Sequence, residues 1–131
     1  MPEYEQSGTI TAEPDALFDY LADVEHLPEY LPVITDAHST GPEAAEVTTD
    51  IHGTEQHAHG WVRVDGLDRR MEWGTAGTDY HGWLQVEPDD TGDRSIVTIH
   101  VTQSHTSDAE DDLIEALDNI RQLADSGEIP V

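Results

Sequence analysis

The sequence predicts an α+β domain in which an antiparallel sheet curls around a long terminal helix. Three observations predict it. From Val33 to His105 apolar and polar residues alternate in short runs separated by turn residues, as in strands joined by hairpins. One strand and a helical stretch precede this region, and the stripe Leu113, Leu117, Ile120 and Ala124 follows it at helical spacing. Such a stripe needs an apolar surface to cover, and one face of the sheet supplies it.

The elements follow in order. Residues 3 to 11 read as a first strand, closed by Ala12-Glu13-Pro14. Pro14 suits a first helical position and Asp15 the positive helix end, while Leu17, Phe18, Leu21 and Val24 recur at helical spacing to about His26. The prolines of Leu27-Pro28-Glu29-Tyr30-Leu31-Pro32 allow one further short turn of helix. Turn residues at Thr40-Gly41-Pro42, Gly53-Thr54, Asp65-Gly66, Ala76-Gly77-Thr78 and 89–93 then divide six strands, and such short connections imply antiparallel pairing. Alternation assigns to the inner face Val47, Thr49 and Ile51; Val62 and Val64; Met71, Trp73 and Thr75; Leu84 and Val86; Val97, Ile99 and Val101. Ser107 to Glu110 matches a capping box, and the last helix ends before Gly127.

Length and composition narrow the class. With 131 residues the expectation is one domain, 1–131, burying roughly two-thirds of the surface its unfolded chain exposes. There is no cysteine, so thiolate metal sites, disulfides and cysteine nucleophiles are excluded. The opening Met1-Pro-Glu-Tyr-Glu lacks a secretory pattern, and no run of about 18 apolar residues occurs. The expected location is the cytoplasm, without membrane insertion.

Charge is the dominant feature. Twenty-nine acidic residues stand against five arginines, and there is no lysine. At about 0.1 M salt charges interact over about 10 Å, so this surplus repels itself; at about 1 M the range falls to about 3 Å. The composition therefore reads as adaptation to concentrated salt. The spread of the carboxylates and the three tryptophans argue against an acidic disordered tail, and the charge disfavours nucleic acid.

The run Ile10-Thr-Ala-Glu-Pro-Asp-Ala-Leu-Phe18, continued by Leu21-Ala-Asp-Val-Glu-His-Leu-Pro-Glu-Tyr-Leu-Pro-Val33, resembles the opening of the START-like (SRPBCC) superfamily, which includes polyketide cyclases, lipid-transfer proteins and plant ligand receptors. Arg69-Arg-Met-Glu-Trp73 before Tyr80-His-Gly-Trp-Leu-Gln-Val86 is similar to its middle strands. The resemblance implies the helix-grip fold, in which a β-α-α-β6-α chain wraps its curved sheet around the C-terminal helix and encloses a largely apolar cavity. That scaffold hosts binders, carriers and enzymes alike.

Few side chains point to a reaction. His57 and His59 share a strand face, with His52 across a turn, but they share parity with Trp61 and Arg63 and so face solvent; the expectation is no metal and no cofactor. Asp19, Asp23 and His26 are similar to the iron-binding segment of ring-hydroxylating oxygenases, yet the second histidine is replaced by Leu31 or Pro32, and helix capping explains them better. No Gly-x-Ser-x-Gly elbow or glycine-rich phosphate loop occurs. What remains is the inward surface. Tyr30, Thr49, Ile51, Met71, Trp73, Thr75, Tyr80, Leu84, Gln103 and Leu117 combine aromatic and aliphatic walls with a few hydroxyl and amide groups, the chemistry that holds an apolar molecule by its polar end. Arg69 or Arg70 could supply an inward cation, though alternation lets only one of the two point inward.

The function these residues suggest is binding or carrying a small apolar molecule. The alternatives are a polyketide cyclase or dehydratase, in which a tyrosine, histidine or arginine moves protons, and an interaction module using the outer sheet face, where Trp61 and Trp83 would seat a second copy of the chain.

Overall fold

The computed structural model describes residues 3–31, 34–51, 53–75, 81–92, 94–102 and 109–127. Strand β1 (Glu3–Ile10) leads into helix α1 (Pro14–Leu21), a 3₁₀ turn (Val24–His26) and helix α2 (Leu27–Tyr30). Six strands follow: β2 (Ile34–Gly41), β3 (Ala44–Ile51), β4 (Thr54–Asp65), β5 (Arg70–Thr75), β6 (His81–Pro88) and β7 (Ser95–Thr102). Helix α3 (Ala109–Asp125) closes the order. The seven strands form one antiparallel sheet in the order β1-β7-β6-β5-β4-β3-β2, so β1 crosses to pair with the last strand and the others pair with their chain neighbours.

Local chemistry explains the helical segments. Glu13 caps α1 and Pro14 fills its first turn, where an N–H would have no partner. The expected helix to His26 is broken in two, because the Asp23 carboxylate accepts from the Glu25 amide at 3.0 Å and starts a new turn. His26 Nδ1 lies 2.7 Å from the Tyr20 carbonyl and its ring stacks on Tyr20, which folds this turn back onto α1. The Tyr30 hydroxyl, fully buried, donates to the Leu21 carbonyl at 2.7 Å and pins α2 to the end of α1.

Register sorts the side chains as alternation predicts. Ile10, Val62, Met71, Trp73, Leu84, Val86, Val97, Ile99 and Val101 are buried on the inner face with Leu113, Leu117 and Ile120 of α3. Val64 departs from expectation. It shares the parity of Val62 but is 53% exposed, at a level of β4 beyond the last β3–β4 pair, Ala44↔Trp61, where β3 no longer flanks the strand.

Helix α3 lies along β1 and β7, α1 approaches β6, and α2 with the 3₁₀ turn approaches β2. Gly8 makes the helix contact on β1 close: a Cβ there would stand 3.2 Å from Arg121 Nη2 and 3.7 Å from Leu117. No described helix packs its backbone extensively against β3, β4 or β5. The inner face of those central strands therefore looks across the concave side of the sheet.

Candidate functional site

The two ends of the sheet differ. At one end the connections are tied down. Arg69 Nε donates to Asp15 at 2.7 Å, joining the β4–β5 turn to the start of α1; the Val86 amide donates to the Arg69 carbonyl; and Ser95 Oγ donates to the Ala12 carbonyl at 2.8 Å. Arg69 holds the left-handed conformation, φ 51°, uncommon for a residue with a side chain and here held at both its carbonyl and its guanidinium. At the other end Glu3, Thr102 and His81 meet across three adjacent strands, and β3 and β4 keep pairing to Ile51↔Thr54, beyond the last β4–β5 pair at Gly60↔Thr75. The β3–β4 hairpin thus overhangs its neighbours.

Between the ends lies the concave inner surface. Met71 and Trp73 on β5 and Leu84 on β6 are buried there. Trp73 lies over Gly82, its register partner on β6, where a Cβ would come within 2.9 Å of the indole and 2.7 Å of the His100 carbonyl oxygen. Leu117 is buried on α3 against Gly8. Tyr30 is buried as expected, though its hydroxyl is engaged by Leu21. Tyr80 and Gln103 lie outside the described residues, as do the side chains of Thr49, Ile51 and Thr75. Their strands place Thr75, Ile51 and Thr49 toward the overhanging end.

Polar groups are scarce inside. Apart from Tyr30, the buried polar side chains among the described residues are Ser95 and Thr102, and no buried side-chain polar atom lacks a partner. Neither Arg69 nor Arg70 supplies the inward cation that alternation allowed one of them to provide. Arg69 reaches Asp15, and Arg70 lies on the outer face, 4.2 Å from the Trp83 ring centre and bonded to Glu72 at 3.0 Å. All five arginines are partly exposed and ion-paired, the others as Arg63–Glu43, Arg94–Asp89 and Arg121–Asp118.

The outer face carries the expected aromatics. Trp61 covers Gly74, its partner on β5, with Arg63 against its ring, and Trp83 is flanked by Arg70 and by a parallel His100 ring at 5.3 Å. His57 and His59 are also outward, as their parity predicts, and His52 lies outside the described residues. His38 and His59 share the Glu46 carboxylate, at 3.1 and 3.6 Å, while His57 bonds Thr48. Among the described residues no cluster of three or more histidine or acidic side chains is arranged to hold a metal ion.

The curved antiparallel sheet, the two short helices and the C-terminal helix define a START-like helix-grip protein. Residues 1–121 match the family described as polyketide cyclase / dehydrase and lipid transport, and the chain belongs to it. Solved structures share the fold at low identity. A Deinococcus radiodurans protein superposes with a TM-score of 0.80 at 13% identity, over 97% of this chain and 99% of that one. The aromatase/cyclase Zhui from Streptomyces sp. R1128 gives 0.74 at 14%, over 97% and 95%. A START superfamily protein from Mycobacterium smegmatis gives 0.72 at 11%, over 97% and 96%. No curated protein matches the sequence. Among the described residues no helix is long and apolar enough to cross a membrane.

The glycines are what sequence reasoning missed. Gly74 and Gly82 interrupt strands otherwise rich in bulky residues, and each stands opposite a tryptophan. A glycine inside a strand pattern is the signal of close approach that could have found both pairs.

Proposed function

We propose that the chain folds as one domain, 1–131, and binds or carries a small apolar molecule between the inner faces of β3 to β5 and the helices. One observation carries this reading: the inner surface of β5, with Met71 and Trp73, is apolar, and no described helix packs its backbone extensively against β3, β4 or β5. Thr49, Ile51, Thr75, Tyr80 and Gln103 are the residues proposed to meet the ligand toward the overhanging end, and Leu117 and Tyr30 to wall it from the helical side. Apolar walls with a few hydroxyl and amide groups suit orientation of a mostly apolar guest. The acid-rich, lysine-free composition supports work in a salt-rich cytoplasm.

A cyclase or dehydratase requires a side chain that moves protons inside. The buried phenol among the described residues, Tyr30, donates its proton to a backbone carbonyl, which favours carriage over chemistry. The outer face is proposed as the seat of a second copy, supported by Trp61 on β4 and Trp83 on β6, which flank β5 on that face.

The test is mass spectrometry of molecules retained after mild purification, paired with Trp73→Ala. A small apolar compound bound to the wild type and lost or weakened in the folded variant is the expected result. A wild type that retains nothing and binds no apolar fluorescent probe overturns it.

A further inference from the structure

The hairpin joining β4 and β5 is unlike the rest of the surface. Three of the five arginines, Arg63, Arg69 and Arg70, lie within residues 57–85, a stretch of sequence that also holds four carboxylates, Asp65, Asp68, Glu72 and Asp79, for a net charge of −1. The remaining 102 residues carry two arginines and 25 carboxylates, a net charge of −23. Two copies of this chain that meet elsewhere bring strongly like-charged surfaces together; two that meet at this hairpin do not.

The same hairpin carries apolar groups in water. Leu67 is 96% exposed and Val64 53%, two of the three large apolar residues described as exposed. Beside them is an open concavity of about 660 Å³, lined among others by Val64, Leu67, Arg63, Arg70, Glu43 and Glu72. A projecting leucine next to a hollow with charges of both signs is self-complementary: under a twofold axis each copy can place Leu67 in the other's hollow, with arginines facing the partner's carboxylates.

We infer that the β4–β5 hairpin, centred on Leu67, is the seat of a symmetric homodimer. This rests on the reading of the outer face as the place where a second copy docks, and it moves the centre of that contact from the tryptophan rings to the hairpin tip. A stable interface takes roughly 800 Å² from each partner, more than one turn supplies. The contact therefore continues along the outer face over Arg70 and Glu72 to Trp61 and Trp83, which border the same strands.

Sedimentation equilibrium in about 2 M KCl, where screening leaves short-range contacts dominant, tests this. The wild type is expected to dimerise, Leu67→Asp to weaken the dimer about tenfold or more, and Ile114→Asp, an exposed apolar site on α3, to leave it unchanged. Circular dichroism checks that each variant is folded. A wild type that remains monomeric at about 100 μM, a range in which weak dimers are populated, overturns both the outer-face dimer and its seat. A dimer that survives Leu67→Asp but dissociates in Trp61→Ala overturns the hairpin seat alone. Ligand retention, measured on the same samples, reports the binding reading separately.

Discussion

Trp73 and Gly82 face each other across β5 and β6, and the indole occupies the space a side chain at position 82 would need. One strand further, Trp61 and Gly74 repeat the arrangement on the opposite face. Each tryptophan is thereby held flat to the sheet, one inside and one outside.

Gly82→Ala should destabilise the fold by about 1–3 kcal/mol, the usual result of overpacking. The new methyl meets a backbone carbonyl at 2.7 Å as well as a buried indole, so neither can yield cheaply. Gly74→Ala should cost less, since its obstacle is the half-buried Trp61, which can swing toward solvent. Denaturant melts of the two variants make the comparison; equal losses would contradict the assigned difference between the faces.

Leu117→Ala should cost roughly 2–5 kcal/mol, because the side chain is buried where α3 packs on Gly8 and its removal leaves a cavity. Urea unfolding measures this. A loss below about 0.5 kcal/mol, the range of surface substitutions, would show that the helix does not seal the sheet.

Salt should raise thermal stability. Five of the 29 carboxylates are matched by the five arginines, and the rest repel across a small surface. The melting temperature is expected to climb between about 0.1 and 2 M KCl as the screening length shortens. A flat or falling curve from scanning calorimetry would remove the salt-adapted reading.

Asp89 should titrate below its ordinary value of 3.8. The Thr91 hydroxyl at 2.7 Å is the main cause, helped by the Thr91 and Gly92 amides and by Arg94, and opposed by desolvation. A folded-state value below the unfolded one means that the group stabilises the β6–β7 hairpin above pH 3.8, and that this contribution is lost as pH falls through the lower folded value. Carboxyl NMR reads the midpoint directly. Titration at or above 3.8 would contradict the geometry, and Thr91→Ala should move it back upward.

The succession of elements, inward parity and the terminal stripe were legible in the sequence because burial writes a period of two or 3.6 directly into residue choice, whereas the pairing of β1 with β7 was not, since periodicity says nothing of which distant strands meet. Leu84, Val86, Val97, Ile99 and Val101 are buried as their alternation requires. Val64 fits the same pattern and is exposed, since alternation reports which face a residue takes and not where the neighbouring strand stops. The candidate site was legible only as a surface. Met71, Trp73 and Leu84 could be assigned to the inner face, but the engagement of Tyr30 by Leu21 and of Arg69 by Asp15 depends on contacts between distant segments. Local periodicity carries no trace of such contacts.

The pairing of every arginine with a carboxylate at the surface has a consequence for selectivity. With no lysine in the chain and no arginine buried, neither of these cations is available to neutralise an acid group taken into the interior. An ionised guest would leave water without gaining a counter-charge, at a penalty that grows with the depth of burial. If the interior takes the guest proposed above, it filters by ionisation state: a molecule would enter as a neutral species, and a weak acid would be admitted only in its protonated form.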